Sequence, residues 1–129
     1  MKVGFVAGAF DLLHAGHIYL LRECRKNCDE LIVGLHVDPS VERPEKNKPV
    51  ETLVERFIKL SSIMGVDTIV PYETESDLIL LLKTLKPDIR FLGSDYKDGK
   101  PITEESLVPI KYIDSLPIHT TDIRKRIKK

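Results

Sequence analysis

The sequence predicts an α/β domain built on a doubly wound, parallel, five-stranded sheet of Rossmann-like layout. Three observations predict it. Short continuous apolar runs alternate with stretches whose apolar residues recur every three or four positions. Polar or glycine-containing loops follow the apolar runs, as in a sheet whose strands are joined by helices. The 129 residues, 42 % of them hydrophobic, suffice for one core, so residues 1–129 are expected to form a single domain.

Each element has its own signal. Lys2–Ala7 is a buried-type strand, and its helix is expected over His17–Asn27. Leu31–Val37 is a second apolar run. Asp38–Pro49 holds three prolines among charges and is expected to be a loop. Thr52 and Glu55 form a capping-box pattern, followed by a helical stripe of Leu53, Phe57, Leu60 and Met64. Asp67–Pro71 is a short third strand. Thr74–Leu85 is a helix with Leu78, Leu82 and Leu85 on one face. Ile89–Gly93 is the fourth strand, Ser94–Ser106 a polar loop, Leu107–Ile113 the fifth strand, and Thr120–Lys128 a closing helix.

Composition excludes several function classes. Lys plus Arg and Asp plus Glu number 20 each, which argues against a nucleic-acid binder. Only the end, Arg124–Lys129, is basic, as suits a solvated helix C-terminus. No run approaches the roughly 18 apolar residues that cross a bilayer, and the N-terminus carries no signal-peptide pattern. A soluble cytoplasmic protein is expected. Cys24 and Cys28, four apart on the first helix, are expected to be buried free thiols.

The chemistry concentrates after the first strand, in Gly8-Ala9-Phe10-Asp11-Leu-Leu-His14-Ala-Gly16-His17. A turn leading into a helix N-terminus offers backbone N–H groups to phosphate. Two imidazoles there can donate to phosphate oxygens and stabilise developing charge. Ligands of such sheets sit beyond the carboxyl ends of the strands, where the segments after the strands converge.

The same string resembles the G-x-F-D-x-x-H-x-G-H motif of the cytidylyltransferase-like nucleotidyltransferases, and glycerol-3-phosphate cytidylyltransferases look most similar within that family. The resemblance implies that His14 and His17 contact a triphosphate, with Gly8 and Gly16 giving the nucleotide room beside Ala9 and Phe10. Asp11 either braces the turn or organises Mg²⁺-triphosphate. Arg56, in Glu55-Arg56, is implied to reach the phosphates. A loop lysine is implied to clamp them, and Lys46 is favoured over Lys48. Gly93 and Asp95 resemble the family's strand end beside base and ribose. Thr120 and Thr121 resemble a phosphate-holding turn.

The expected activity is transfer of CMP from CTP, with Mg²⁺, to a small phosphorylated alcohol such as glycerol 3-phosphate, releasing pyrophosphate. A homodimer is implied by the resemblance alone. Two departures weaken that acceptor: Ala9 replaces a threonine of the glycerol-phosphate enzymes, and Asp114-Ser-Leu-Pro stands where they carry an arginine. The alternatives are an adenylyltransferase acting on a sugar phosphate or FMN, and a non-catalytic nucleotide-binding module. A flavodoxin-like flavin binder is disfavoured by the absence of tryptophan.

Overall fold

A computed structural model describes residues 1–93 and 107–114. They form a five-stranded parallel sheet: β1 (Val3–Gly8), β2 (Glu30–His36), β3 (Thr68–Tyr72), β4 (Ile89–Gly93) and β5 (Ile110–Ile113). The helices are α1 (Ala15–Lys26), α2 (Leu53–Ser61) and α3 (Glu75–Leu85). Strand order is β3-β2-β1-β4-β5, so the direction of winding reverses between β1 and β4. The expected closing helix and the 94–106 loop lie outside the described residues.

Alternation along each strand builds two cores. Val6, Leu31, Val33, Leu35 and Phe91 point to one face, where Leu21 and Cys24 of α1 and Leu60 of α2 cover them. Phe5, Ile32 and Tyr72 point to the other, under Leu78 and Leu82 of α3. Burial on both faces explains why the strands read as unbroken apolar runs. Cys24 and Cys28 are free thiols, as expected, but only Cys24 is buried; Cys28 lies past the end of α1 and is half-buried. Burial pushes the Cys24 thiol up to about 12.

Several boundaries differ from the sequence expectation. α1 starts at Ala15, two residues earlier than expected, because the His14 side chain supplies the N-cap. Met64 does not continue the α2 stripe and is 94 % exposed. α2 stops at Ser61, capped by Ser62, and the hydroxyls of both serines are donated to the Ile58 carbonyl. β5 begins only at Ile110, since Pro109 contributes no N–H to a ladder. Its carbonyl still accepts from the Arg90 N–H at 2.8 Å.

Gly34 lies mid-β2, and a Cβ there would meet the Phe5 ring at 2.7 Å. Gly34→Ala is therefore expected to lower the unfolding free energy by about 1–3 kcal/mol, measured by urea denaturation. An unchanged midpoint and slope would show that the Phe5 ring gives way freely.

Candidate nucleotide site

The winding reversal between β1 and β4 puts the carboxyl end of β1 where ligands of doubly wound sheets bind. The chain leaves β1 at Gly8, whose hypothetical Cβ would press on the Phe10 ring at 3.1 Å. Phe10 and Leu12 then take left-handed φ values of 49° and 50°. A non-glycine residue pays about 1 kcal/mol or more for that conformation. The double reversal delivers His14 to the start of α1.

There the two histidines form a capping box. His14 Nδ1 accepts from the Gly16 N–H at 3.0 Å, and His17 Nδ1 accepts from the His14 N–H at 3.1 Å. An accepting Nδ1 carries no proton, so each neutral ring holds its proton on Nε2. The rings stack with centroids 3.9 Å apart, and Phe10 meets His17 edge-on at 5.6 Å. Burial, and then the neighbouring His14, lower the His17 pKa to about 4, against a smaller raising effect of Asp11. His17 is thus preset as a neutral ring, and Nε2 is the donor side of both rings when neutral. No acidic residue occupies the first turn of α1, which leaves the positive end of its dipole to an approaching anion.

Asp11 braces the turn against the segment before α2. Its Oδ2 accepts from Val50 N–H at 2.8 Å and its Oδ1 from Glu51 N–H at 2.9 Å. In return, Glu51 Oε1 accepts from Leu12 N–H at 2.7 Å, and its Oε2 pairs with Lys59 Nζ at 2.6 Å. Glu51 was not singled out in the sequence. Its only local signal is an acidic residue immediately before an N-cap. Among the described residues no group of three His, Cys, Asp or Glu side chains is placed to hold an ion.

Arg56 departs from the implied role. It is 2 % exposed, and its guanidinium serves backbone carbonyls instead of facing an open cleft. Nη1 donates to Ala9 O (3.1 Å) and His36 O (2.7 Å), and Nη2 to Val37 O (2.7 Å). Nε is shared between Glu51 O and Thr52 O at 3.3 and 3.4 Å. These carbonyls lie where β1 and β2 end and α2 begins, and a planar five-donor fork meets them together.

Lys46 and Lys48 are exposed in the loop before α2. Asp38, after β2, is held below the usual carboxylate range first by the Ser40 hydroxyl, with Lys48 and Arg56 adding to it. Lys48 therefore acts electrostatically at the end of β2. Gly93 ends β4 opposite Ile113. Asp95, Thr120 and Thr121 lie outside the described residues. An apolar cavity of about 450 Å³ lies elsewhere, at the β3 edge between Leu53, Pro71, Tyr72 and Leu81.

No described helix is long and apolar enough to cross a membrane. The cytidylyltransferase-like family profile matches residues 5–126. The chain is 35 % identical over 133 residues to the bifunctional protein HldE of Granulibacter bethesdensis, covering 98 % of this chain and 27 % of that protein. It is 40 % identical over 126 residues to the HldE of Campylobacter fetus, covering 96 % and 27 %. It thus spans about a quarter of the length of these curated relatives. Among solved structures, the lipopolysaccharide core biosynthesis protein from Thermoplasma volcanium superposes with a TM-score of 0.74 at 29 % identity, over 90 % of this chain and 98 % of that one.

Two predictions follow from this geometry. His17 binds its proton at about pH 4 in the folded protein and near the ordinary 6.5 when unfolded. Between those values the unfolded state holds more protons, so stability falls as pH drops from 6.5 towards 4. The slope reaches about 1.4 kcal/mol per pH unit at most. Urea denaturation of the wild type and His17→Asn across that window checks it: the variant should lose the His17 share of the slope and keep the part due to His36, whose pKa burial also lowers. Arg56→Ala should destabilise by on the order of 3 kcal/mol, because it strands buried carbonyls. A thermal melt that left the variant as stable as wild type would refute the clamp.

Proposed function

Because the chain belongs to the cytidylyltransferase-like family, we propose that it is a nucleotidyltransferase that joins AMP from ATP to a sugar phosphate and releases pyrophosphate. The observation that carries nucleotidyl transfer is the stacked, doubly capped histidine pair. Both Nε2–H groups are fixed by hydrogen bonds made at the opposite ring nitrogen. A phosphate oxygen of the acceptor attacks the α-phosphorus, the bond to the β-phosphate oxygen breaks, and pyrophosphate carries the electron pair away. Such a transfer needs positioning and charge stabilisation more than covalent help. His14 and His17 provide donors that need no reorientation as charge shifts onto the triphosphate oxygens.

The exposed Lys48 or Lys46 supplies cationic charge from the facing loop. Asp95, Thr120 and Thr121 are assigned to base, ribose and phosphate by resemblance. Mg²⁺ enters as part of the nucleotide substrate, and a homodimer belongs to the same proposal.

The acceptor class rests on the relatives. The similar solved protein is titled for lipopolysaccharide core biosynthesis. A nucleotidyltransferase contributes to a saccharide by activating a sugar phosphate. The relatives named HldE support this reading over glycerol 3-phosphate, as do Ala9 and the missing arginine at Asp114-Ser-Leu-Pro.

Pyrophosphate release, measured with ATP or CTP and Mg²⁺ against sugar phosphates, FMN and glycerol 3-phosphate, tests the assignment. Turnover is expected with ATP and a sugar phosphate. Turnover with CTP and glycerol 3-phosphate alone would overturn it. His14→Ala or His17→Ala should lower kcat by on the order of 10²–10³ with the fold intact. Normal turnover in either variant would remove the histidines from the chemistry.

A further inference from the structure

We propose that Glu51 is a positioning residue for the histidine pair, holding the left-handed turn before α1 in the one shape that seats His14 at the helix N-cap. The proposal rests on the nucleotidyl-transfer reading only for its catalytic consequence. Its geometric part stands alone.

Glu51 holds the strained stretch at its second left-handed residue. Leu12, with φ of 50°, donates its N–H to Glu51 Oε1 at 2.7 Å. Leu12 lies two residues before the N-cap, so its conformation sets the path into α1. The Glu51 carboxylate is itself fixed. Its side chain is 11 % exposed, and its second oxygen is paired with Lys59 one helix face away. Its backbone is fixed as well, since Asp11 accepts from the N–H groups of Val50 and Glu51. Two segments about forty residues apart thus grip each other in both directions.

Arg56 ties the same two segments from beneath, through the carbonyls of Ala9 and Glu51. Removing the Glu51 carboxylate frees the Leu12 N–H and lets the turn relax towards ordinary backbone. His14 then drifts from the N-cap, the Gly16 bond to Nδ1 weakens, and the His17 ring loosens from its stack. The charged and titratable groups acting on His17 are His14 and Asp11, and neither is altered chemically by a change at position 51.

The test is a pH titration of the histidine ring signals by NMR on the full chain. In wild type the His17 ring should stay neutral down to about pH 4. In Glu51→Ala its midpoint should rise by about one unit or more towards the ordinary 6.5, with Nδ1-protonated ring appearing. Glu51→Gln keeps an oxygen for the Leu12 N–H and should restore the wild-type midpoint. If the Ala variant does not fold, Glu51→Asp, one methylene short of that N–H, gives the same comparison. A merely structural role would lower the melting temperature while leaving the titration of the folded protein in place, and an unchanged midpoint overturns the proposal.

Turnover supplies the second readout. Glu51→Ala should lose about tenfold or more in kcat while KM for the triphosphate moves less than about threefold. A full kcat in the Ala variant overturns the positioning role. A shifted titration in a chain whose wild type turns over no triphosphate counts against nucleotidyl transfer and leaves the strap standing.

Discussion

Between β1 and α1 the backbone bends twice through left-handed space at residues that carry side chains, Phe10 and Leu12. Such a stretch persists only where its surroundings over-determine it. Here the surroundings are a cross-linked strap: Asp11 on the amides of Val50 and Glu51, Glu51 on the amide of Leu12, and Arg56 on the carbonyls of Ala9 and Glu51. The helix start, the histidine pair and the strand ends all depend on it. A glycine at either bend would remove strain, and at position 10 it would also remove the ring that meets His17 edge-on.

The strap also explains the protonation state of the pair. Each imidazole spends its Nδ1 lone pair on a backbone N–H of the helix start. Protonating that nitrogen costs a cap as well as the desolvation of a new charge beside a stacked partner. For His17, a neutral ring with its proton on Nε2 is therefore the low-energy state down to about pH 4. Neutral donors suit a site whose substrate is strongly anionic but whose charge is rearranged, not consumed. In the proposed transfer they would stabilise oxygens at the reacting centre without locking the pyrophosphate product in place by full charge attraction.

Much of the fold was legible because its determinants are local. Unbroken apolar runs marked the strands, and the Thr52–Glu55 capping box marked the start of α2. Where a boundary moved, an unusual local partner moved it. Histidine is not among the common N-cap residues, so a His14/His17 box disguised the first two residues of α1. The motif brought Gly8, Phe10, Asp11, His14 and His17 to one place without any knowledge of the turn between them. Its contacts were not legible. Glu51 meets Leu12 across 39 positions, and no periodicity carries such a pairing. Arg56 did carry a signal: it sits three residues after Leu53 and four before Leu60, on the inward stripe of α2. An arginine at a core position must find carbonyls or carboxylates nearby, and here it found carbonyls.

The burial of Arg56 decides how charge is distributed around the cleft. Two carboxylates, Asp11 and Glu51, stand beside the turn that precedes the N-terminal end of α1, where the proposed triphosphate would dock. Uncompensated, they would repel a triphosphate. Glu51 is paired with Lys59 at 2.6 Å, and Asp11 is held by the amides of Val50 and Glu51 with the Arg56 guanidinium near enough for the carboxylate to favour its charge. The strap therefore contributes rigidity without contributing net charge. In the proposed site, attraction is then left to the imidazole donors, the positive end of α1 and the exposed lysines at 46 and 48 in the loop before α2. A zero formal net charge over the whole chain is compatible with anion recognition for this reason. Negative groups near the cleft are spent as internal acceptors, while the donors and cations that face outward are left to the substrate.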